Sequence, residues 1–171
     1  MLRRMKARNS KYYAYFCSVN KIMKLFFPGS FDPFTIGHAD LVERALALGC
    51  EVVIAVGING EKKPLFSAQQ RLDAIKAYYK SNARVSVIEY KGLTVDAVRE
   101  NGCNAILRGI RSVTDYDKER NLADINRSIA GVETVILVSS PAVQHVSSSL
   151  VRELISFGRN ADDLMIETFK K

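Results

Sequence analysis

A Rossmann-like, doubly wound α/β fold is what this 171-residue sequence predicts: one domain with a mostly parallel five-stranded sheet and helices on both faces. Three observations lead there. Short apolar runs alternate with stretches of helical periodicity in the order βαβαβαβαβα, which implies parallel strands joined by crossover helices. Glycines stand where most of the helical stretches stop. The polar clusters suited to anions each follow a strand, and open parallel sheets bind ligands at the carboxyl ends of their strands.

In chain order, Lys24–Phe27 reads as a buried strand. His38–Leu48 reads as a helix with Leu41, Val42, Ala45 and Leu48 on one face, stopped by Gly49. The β-branched run Glu51–Ile58 is the second strand. Ser67 with Gln70 three residues on forms a capping box, opening a helix that continues through Tyr79. Val85–Tyr90 is the third strand, Val95–Asn101 a short helix stopped by Gly102, and Ala105–Arg108 the fourth strand. A polar helix from about Thr114 to Ile129 precedes the fifth strand, Thr134–Val138. Ser148–Phe157 is a helix ended by Gly158, and Ala161–Thr168 is expected to form a terminal helix.

The formal net charge is +7, but residues 1–22 hold Arg3, Arg4, Lys6, Arg8, Lys11 and Lys21 and no acid. Residues 23–171, the expected folded domain, therefore carry only +1, so the overall charge does not argue for a nucleic-acid partner. The leading segment lacks an apolar run long enough for a signal sequence, and no later run is long enough to span a membrane. It reads as a poorly ordered basic extension, with an arm for an acidic surface as the alternative and Met23 as a candidate start. Cys17, Cys50 and Cys103 are scattered and odd in number, against a disulfide framework or structural zinc; Cys50 and Cys103 read as small core fillers. The expected compartment is the reducing cytoplasm.

Four clusters carry the chemistry. Pro28-Gly29-Ser30-Phe31-Asp32-Pro33-Phe34-Thr35-Ile36-Gly37-His38 joins the first strand to the first helix, where backbone N–H groups and a positive dipole end collect phosphates. Ser30 offers a hydroxyl there, and His38, in the first helical turn, offers a donor whose charge can follow the reaction. Lys62-Lys63-Pro64 follows the second strand; it suits a solvated loop or a mobile charge for phosphate. Leu107-Arg108-Gly109-Ile110-Arg111 closes the fourth strand with two arginines able to hold anionic oxygens. Glu119, on the next helix, is suited to accept from a ribose hydroxyl or to orient an arginine. Ser147-Ser148-Ser149 opens the last long helix. One serine is needed as a cap, leaving further hydroxyls for a phosphate.

Together, G-S-F-D-P-F-T-I-G-H, K-K-P, R-G-I-R-S-V-T-D-Y-D-x-E and V-S-S-S-L-V-R resemble phosphopantetheine adenylyltransferase, in order from about Met23 to Phe157. The first and last motifs are shared across nucleotidylyltransferases, whereas the R-G-x-R-x-x-x-D-x-x-x-E block selects this family. The resemblance implies adenylyl transfer from ATP to 4′-phosphopantetheine, giving dephospho-coenzyme A and pyrophosphate by direct in-line attack. It implies His38, Lys62, Arg111 and Ser149 as catalytic residues. It places Ser30, Phe31, His38, Gly109, Ile110, Arg111, Glu119, Val143, Gln144, His145, Val146, Ser147, Ser148 and Ser149 around ATP. It places Ser30, Lys62, Thr94 and Arg108 around phosphopantetheine. Mg²⁺ arriving with ATP and a homohexameric assembly are further implications, with no dedicated metal-binding residues, no nucleic acid and no membrane. Where the family carries an aromatic-rich stretch before the serines, this chain has Val143-Gln144-His145-Val146. The rivals are a nucleotidylyltransferase acting on nicotinamide mononucleotide or an alcohol phosphate, and a non-catalytic nucleotide- or RNA-binding module. The near-neutral body opposes the latter.

Overall fold

The computed structural model describes residues 22–58 and 64–170. The sheet is wholly parallel in the order β3-β2-β1-β4-β5, built from β1 (Lys24–Gly29), β2 (Glu51–Gly57), β3 (Val85–Tyr90), β4 (Ala105–Ile110) and β5 (Glu133–Val138). The crossovers are α1 (Ile36–Ala47), α2 (Ala68–Tyr79), α3 (Thr94–Glu100) and α4 (Val113–Ala130), and α5 (Ser148–Ser156) follows β5. Alternate strand residues feed two cores. Leu25, Phe27, Val52, Ile54, Ala105 and Leu107 pack with α1, α2 and α5 on one face. Phe26, Val53, Ala55 and Ile106 pack with Val95, Ala97 and Val98 of α3 on the other. This period-two alternation on both faces is what a doubly wound sheet requires.

The order in which strands are added to the sheet reverses between β1 and β4, and the pairing of these two strands stops early. Only Leu25↔Ala105 and Phe26↔Ile106 are in register, whereas β1 follows β2 along its whole length through Gly29↔Val56. Beyond Phe26 and Ile106 the two central strands part and a crevice opens at their carboxyl ends. Gly109 lets α1 lie close to that crevice: a Cβ there would sit 2.3 Å from Leu41 Cδ1.

Two sequence expectations are corrected. Leu48 is not on the buried face of the first helix: it is the C-cap, 70% exposed, and Leu46 fills the core position. At ψ 3° Leu48 has already left the helical screw, and Gly49 at φ 85° completes the turn. The segment 161–168 is not one helix either. It forms two 3₁₀ turns, Asp162–Leu164 and Glu167–Phe169, separated by Met165 and Ile166; Met165 makes an antiparallel bridge to Thr35. Ala161, Met165, Ile166 and Phe169 are buried at helix-like spacing, but the first-motif loop captures the backbone between them: Ile166 N–H donates to Phe34 O at 3.4 Å.

Most of the basic extension, residues 1–21, lies outside the described residues. Since β1 begins at Lys24 and Met23 O already accepts Glu51 N–H at 2.8 Å, a chain starting at Met23 keeps every strand among the described residues. Its melting temperature is expected within about 3 °C of the full chain, with unchanged turnover. Calorimetry and a turnover assay of both chains check this; a clear drop would make the extension structural.

Candidate active site

The first motif folds as a tight loop into the start of α1 for local reasons. Thr35 caps α1: its Oγ1 accepts His38 N–H at 3.4 Å, and its own N–H donates to His38 Nδ1 at 3.0 Å. Nδ1 is therefore the unprotonated ring nitrogen and the proton belongs on Nε2. Burial foremost, then the positive charges of Arg111 and Arg108, lowers the His38 pKa from the ordinary 6.5 to about 4. Without a ligand the ring is thus a neutral, fixed N–H donor.

That pKa has a consequence for stability. The unfolded chain binds a proton at His38 more readily than the folded one, so stability falls as pH drops from about 6.5 through about 4 and is fully present above that window. The loss attributable to His38 approaches about 3 kcal/mol. Denaturant midpoints at pH 7.5 and 4.5 are expected to differ less in His38→Asn than in the parent; equal slopes would mean that the imidazole is not held neutral.

Phe31 sits at φ 49°, with its ring against Phe27, Phe34 and His38 at centroid distances of 5.1–5.2 Å. Gly29 is required beneath it, because a Cβ there would lie 2.7 Å from that ring.

Two cavities flank this loop, one of about 520 Å³ and one of about 510 Å³. They share Pro28, Gly29, Ser30, Arg108 and Glu119 as a common wall. Arg108 spans the split between the central strands: Nη1 donates to Pro28 O at 3.0 Å, while Nε and Nη2 donate to the two Glu119 oxygens at 2.6 Å each. Of the two roles open to Glu119, the fold realises the arginine-orienting one. The cavity on the β2–β3 side contains Thr94, whose Oγ1 lies 3.2 Å from the Tyr90 hydroxyl.

The other cavity gathers Ser30, Phe31, His38, Gly109, Arg111 and the serines. Arg111 is steadied by Asp115, N–H and Nε donating at 3.2 and 3.1 Å. Ser147 is the α5 cap and accepts Leu150 N–H; Ser148 Oγ donates to Pro33 O at 2.8 Å; Ser149 Oγ accepts from Arg152 at 3.1 Å. Val143 and Val146 also line this cavity. Gln144 and His145 are exposed and are not among its walls, and Ile110 contributes its carbonyl to Ser139 N–H at 2.8 Å. Lys62 lies outside the described residues. Sequence reasoning quoted Arg152 and Asp115 within its motifs but gave neither a role. The spacing of Arg152, three residues after Ser149 on α5, was an available signal; Asp115 lies in the first turn of α4, just beyond Arg111.

Fold and site define a nucleotidyltransferase, and residues 26–154 match the cytidylyltransferase-like family. Relatives named phosphopantetheine adenylyltransferase include one from Porphyromonas gingivalis, 55% identical over 84% of this chain and 94% of its own length. Another, from Phocaeicola vulgatus, is 44% identical over 84% and 95%, and one from Flavobacterium psychrophilum is 41% identical over 86% and 97%. The chain belongs to the phosphopantetheine adenylyltransferase family. Among solved structures, a bifunctional NMN adenylyltransferase/ADP ribose pyrophosphatase from Francisella tularensis shares the fold, with a TM-score of 0.64 at 16% identity, over 84% of this chain and 45% of that one. Among the described residues no helix is long and apolar enough to cross a membrane.

Proposed function

We propose that this enzyme transfers the adenylyl group of ATP to the phosphate of 4′-phosphopantetheine, yielding dephospho-coenzyme A and pyrophosphate. The observation that carries this reading is the pair of cavities meeting at one wall of Ser30, Arg108 and Glu119. Two phosphate-bearing ligands placed one in each cavity meet end to end there. An oxygen of the acceptor phosphate attacks the ATP α-phosphorus in line; the bond to the bridging oxygen breaks and pyrophosphate leaves with the electron pair. The acceptor is itself the nucleophile, so the protein's part is positioning and charge stabilisation. The Nε2–H of His38 and the guanidinium of Arg111 meet the nucleotide phosphates, Arg108 holds the acceptor phosphate, and Lys62 and Thr94 complete the acceptor site.

Mg²⁺ fits as a companion of the nucleotide. The Glu119 and Asp115 carboxylates bordering the nucleotide cavity are each taken by an arginine, so phosphate oxygens and water would supply its ligands. Bound there, it neutralises phosphate charge. The compartment we infer is the reducing cytoplasm, in keeping with the free thiols of Cys50 and Cys103.

Pyrophosphate release from ATP, measured with phosphopantetheine, nicotinamide mononucleotide and glycerol phosphate side by side, tests the reading. Release with phosphopantetheine alone is expected; a preference for either of the others would overturn it.

We also propose a homo-oligomer, hexameric by resemblance, with α4 in its interface. This 18-residue helix has no buried residue, and Leu122, Ile125 and Ile129 stand 48%, 53% and 61% exposed at helical spacing. Ile125→Glu is expected to lower the mass found by light scattering to that of a smaller species. A full-mass assembly would place the interface elsewhere.

A further inference from the structure

Among the described residues the buried charged side chains are Asp32 and Arg71, and the Thr35 hydroxyl is buried as well. Thr35 serves His38. The other two, 7% and 5% exposed, touch no position assigned above to either substrate except through the backbone, yet both converge on the Ser30–Asp32 turn.

Arg71, on α2, donates from Nη1 to Ser30 O and from Nε to Phe66 O at 3.1 Å and Ser67 O at 3.4 Å. Asp32 grips the same segment from the other side, its carboxylate accepting Leu65 N–H and Phe66 N–H at 2.8 Å each. The turn is held a third time by Arg152, which donates to Asp32 O at 2.7 Å. A buried guanidinium and a buried carboxylate are costly unless their hydrogen bonds are made. Here Asp32 binds the Leu65 and Phe66 amides and Arg71 binds the Ser30 carbonyl, each more than thirty residues away in sequence, while Arg71 Nε is satisfied locally by Phe66 O and Ser67 O.

The direction of the Ser30 carbonyl matters for the phosphates. In a planar trans peptide the N–H points opposite to the C=O, so a Ser30 carbonyl turned in towards Arg71 sends Phe31 N–H the other way. Ser30 and Phe31 border the nucleotide cavity, and among the described residues no acceptor takes Phe31 N–H. Phe31 also holds a left-handed φ of 49°, a conformation that a bulky residue keeps only when its surroundings impose it.

We propose that Asp32 and Arg71 are positioning residues for the transfer: as a buried pair they lock the Ser30–Phe31 peptide with its N–H facing the nucleotide phosphates. The inference rests on the adenylyl-transfer reading. Neither residue touches substrate; both act through the turn.

The test uses the full chain with Arg71→Lys, Arg71→Met and Asp32→Asn, each also combined with His38→Ala. Lysine keeps the charge but has no planar fork to reach Ser30 O and Phe66 O together. Arg71→Lys is expected to melt within about 5 °C of the parent. Its turnover should fall about thirtyfold or more, with the KM for phosphopantetheine within about threefold. In the His38→Ala background the same substitution should cost less than about threefold, because groups acting on one phosphate are not additive. Parental turnover in Arg71→Lys, or an equal loss in both backgrounds, overturns the proposal. So does failure of all three single variants to fold, which would make the pair a stability device. Parental turnover in His38→Ala alone is a different failure, one that sinks the adenylyl-transfer reading on which this inference stands.

Discussion

Replacing His38 by alanine is expected to lower turnover by about a hundredfold or more, equivalent to roughly 3 kcal/mol of transition-state stabilisation. The ring is pinned before substrate arrives: Thr35 holds Nδ1 at 3.0 Å, and three aromatic rings surround it at 5.1–6.2 Å. A donor fixed in this way needs no reorganisation as negative charge grows on the phosphate, which is where preorganised groups act most strongly. The substitution also removes the side-chain half of the α1 capping box, so some loss of stability accompanies it. Single-turnover rates alongside melting curves separate the two effects. Turnover within a few-fold of the parent would remove His38 from the chemistry.

Arg108→Ala should produce the second-largest effect, weakening phosphopantetheine by about 1.5–3 kcal/mol and ATP by less. The asymmetry follows from the cations left behind. Among their described walls, the nucleotide cavity keeps two arginines, Arg111 and Arg152, and the acceptor cavity keeps one cation, Lys91. The variant also leaves the Glu119 carboxylate, only 13% exposed, without its partner, so a drop in stability is expected as well. Glu119→Gln is the control: it keeps the arginine but loosens the two 2.6 Å contacts, and should raise the phosphopantetheine KM by a smaller factor. Equal losses of both ligands in a binding titration of Arg108→Ala would assign the guanidinium to the shared phosphate region rather than to the acceptor.

The readable parts of this protein share one property: their cause lies within a few residues. The capping box at Ser67 and Gln70 formed as expected, with both reciprocal bonds present, because partners three residues apart meet in any helix start. The strand Val85–Tyr90 was bounded correctly by its alternation and flanking turn residues. The stops at Gly49, Gly102 and Gly158 fell at positive φ. The same local rules misplaced Leu48 and the terminal segment. Periodicity does not register where a helix loses the sheet beneath it, nor that another loop will take the backbone of Met165 and Ile166.

By itself, then, the sequence determined the alternation of strands and helices, the loop between the first strand and first helix, and the motif that selects the family. Only the tertiary structure decided what each polar group in that loop does. It gave Glu119 to Arg108 across eleven residues, set Asp32 against the Leu65–Phe66 amides, turned Arg71 onto the Ser30 carbonyl and drew Arg152 onto the Asp32 carbonyl from 120 residues away. It also lowered the His38 pKa, through burial and two arginines at and just beyond the carboxyl end of β4. Such partnerships exist only once the central strands have paired and parted. Desolvation and charge act through distance in space, and no spacing along the chain encodes that distance.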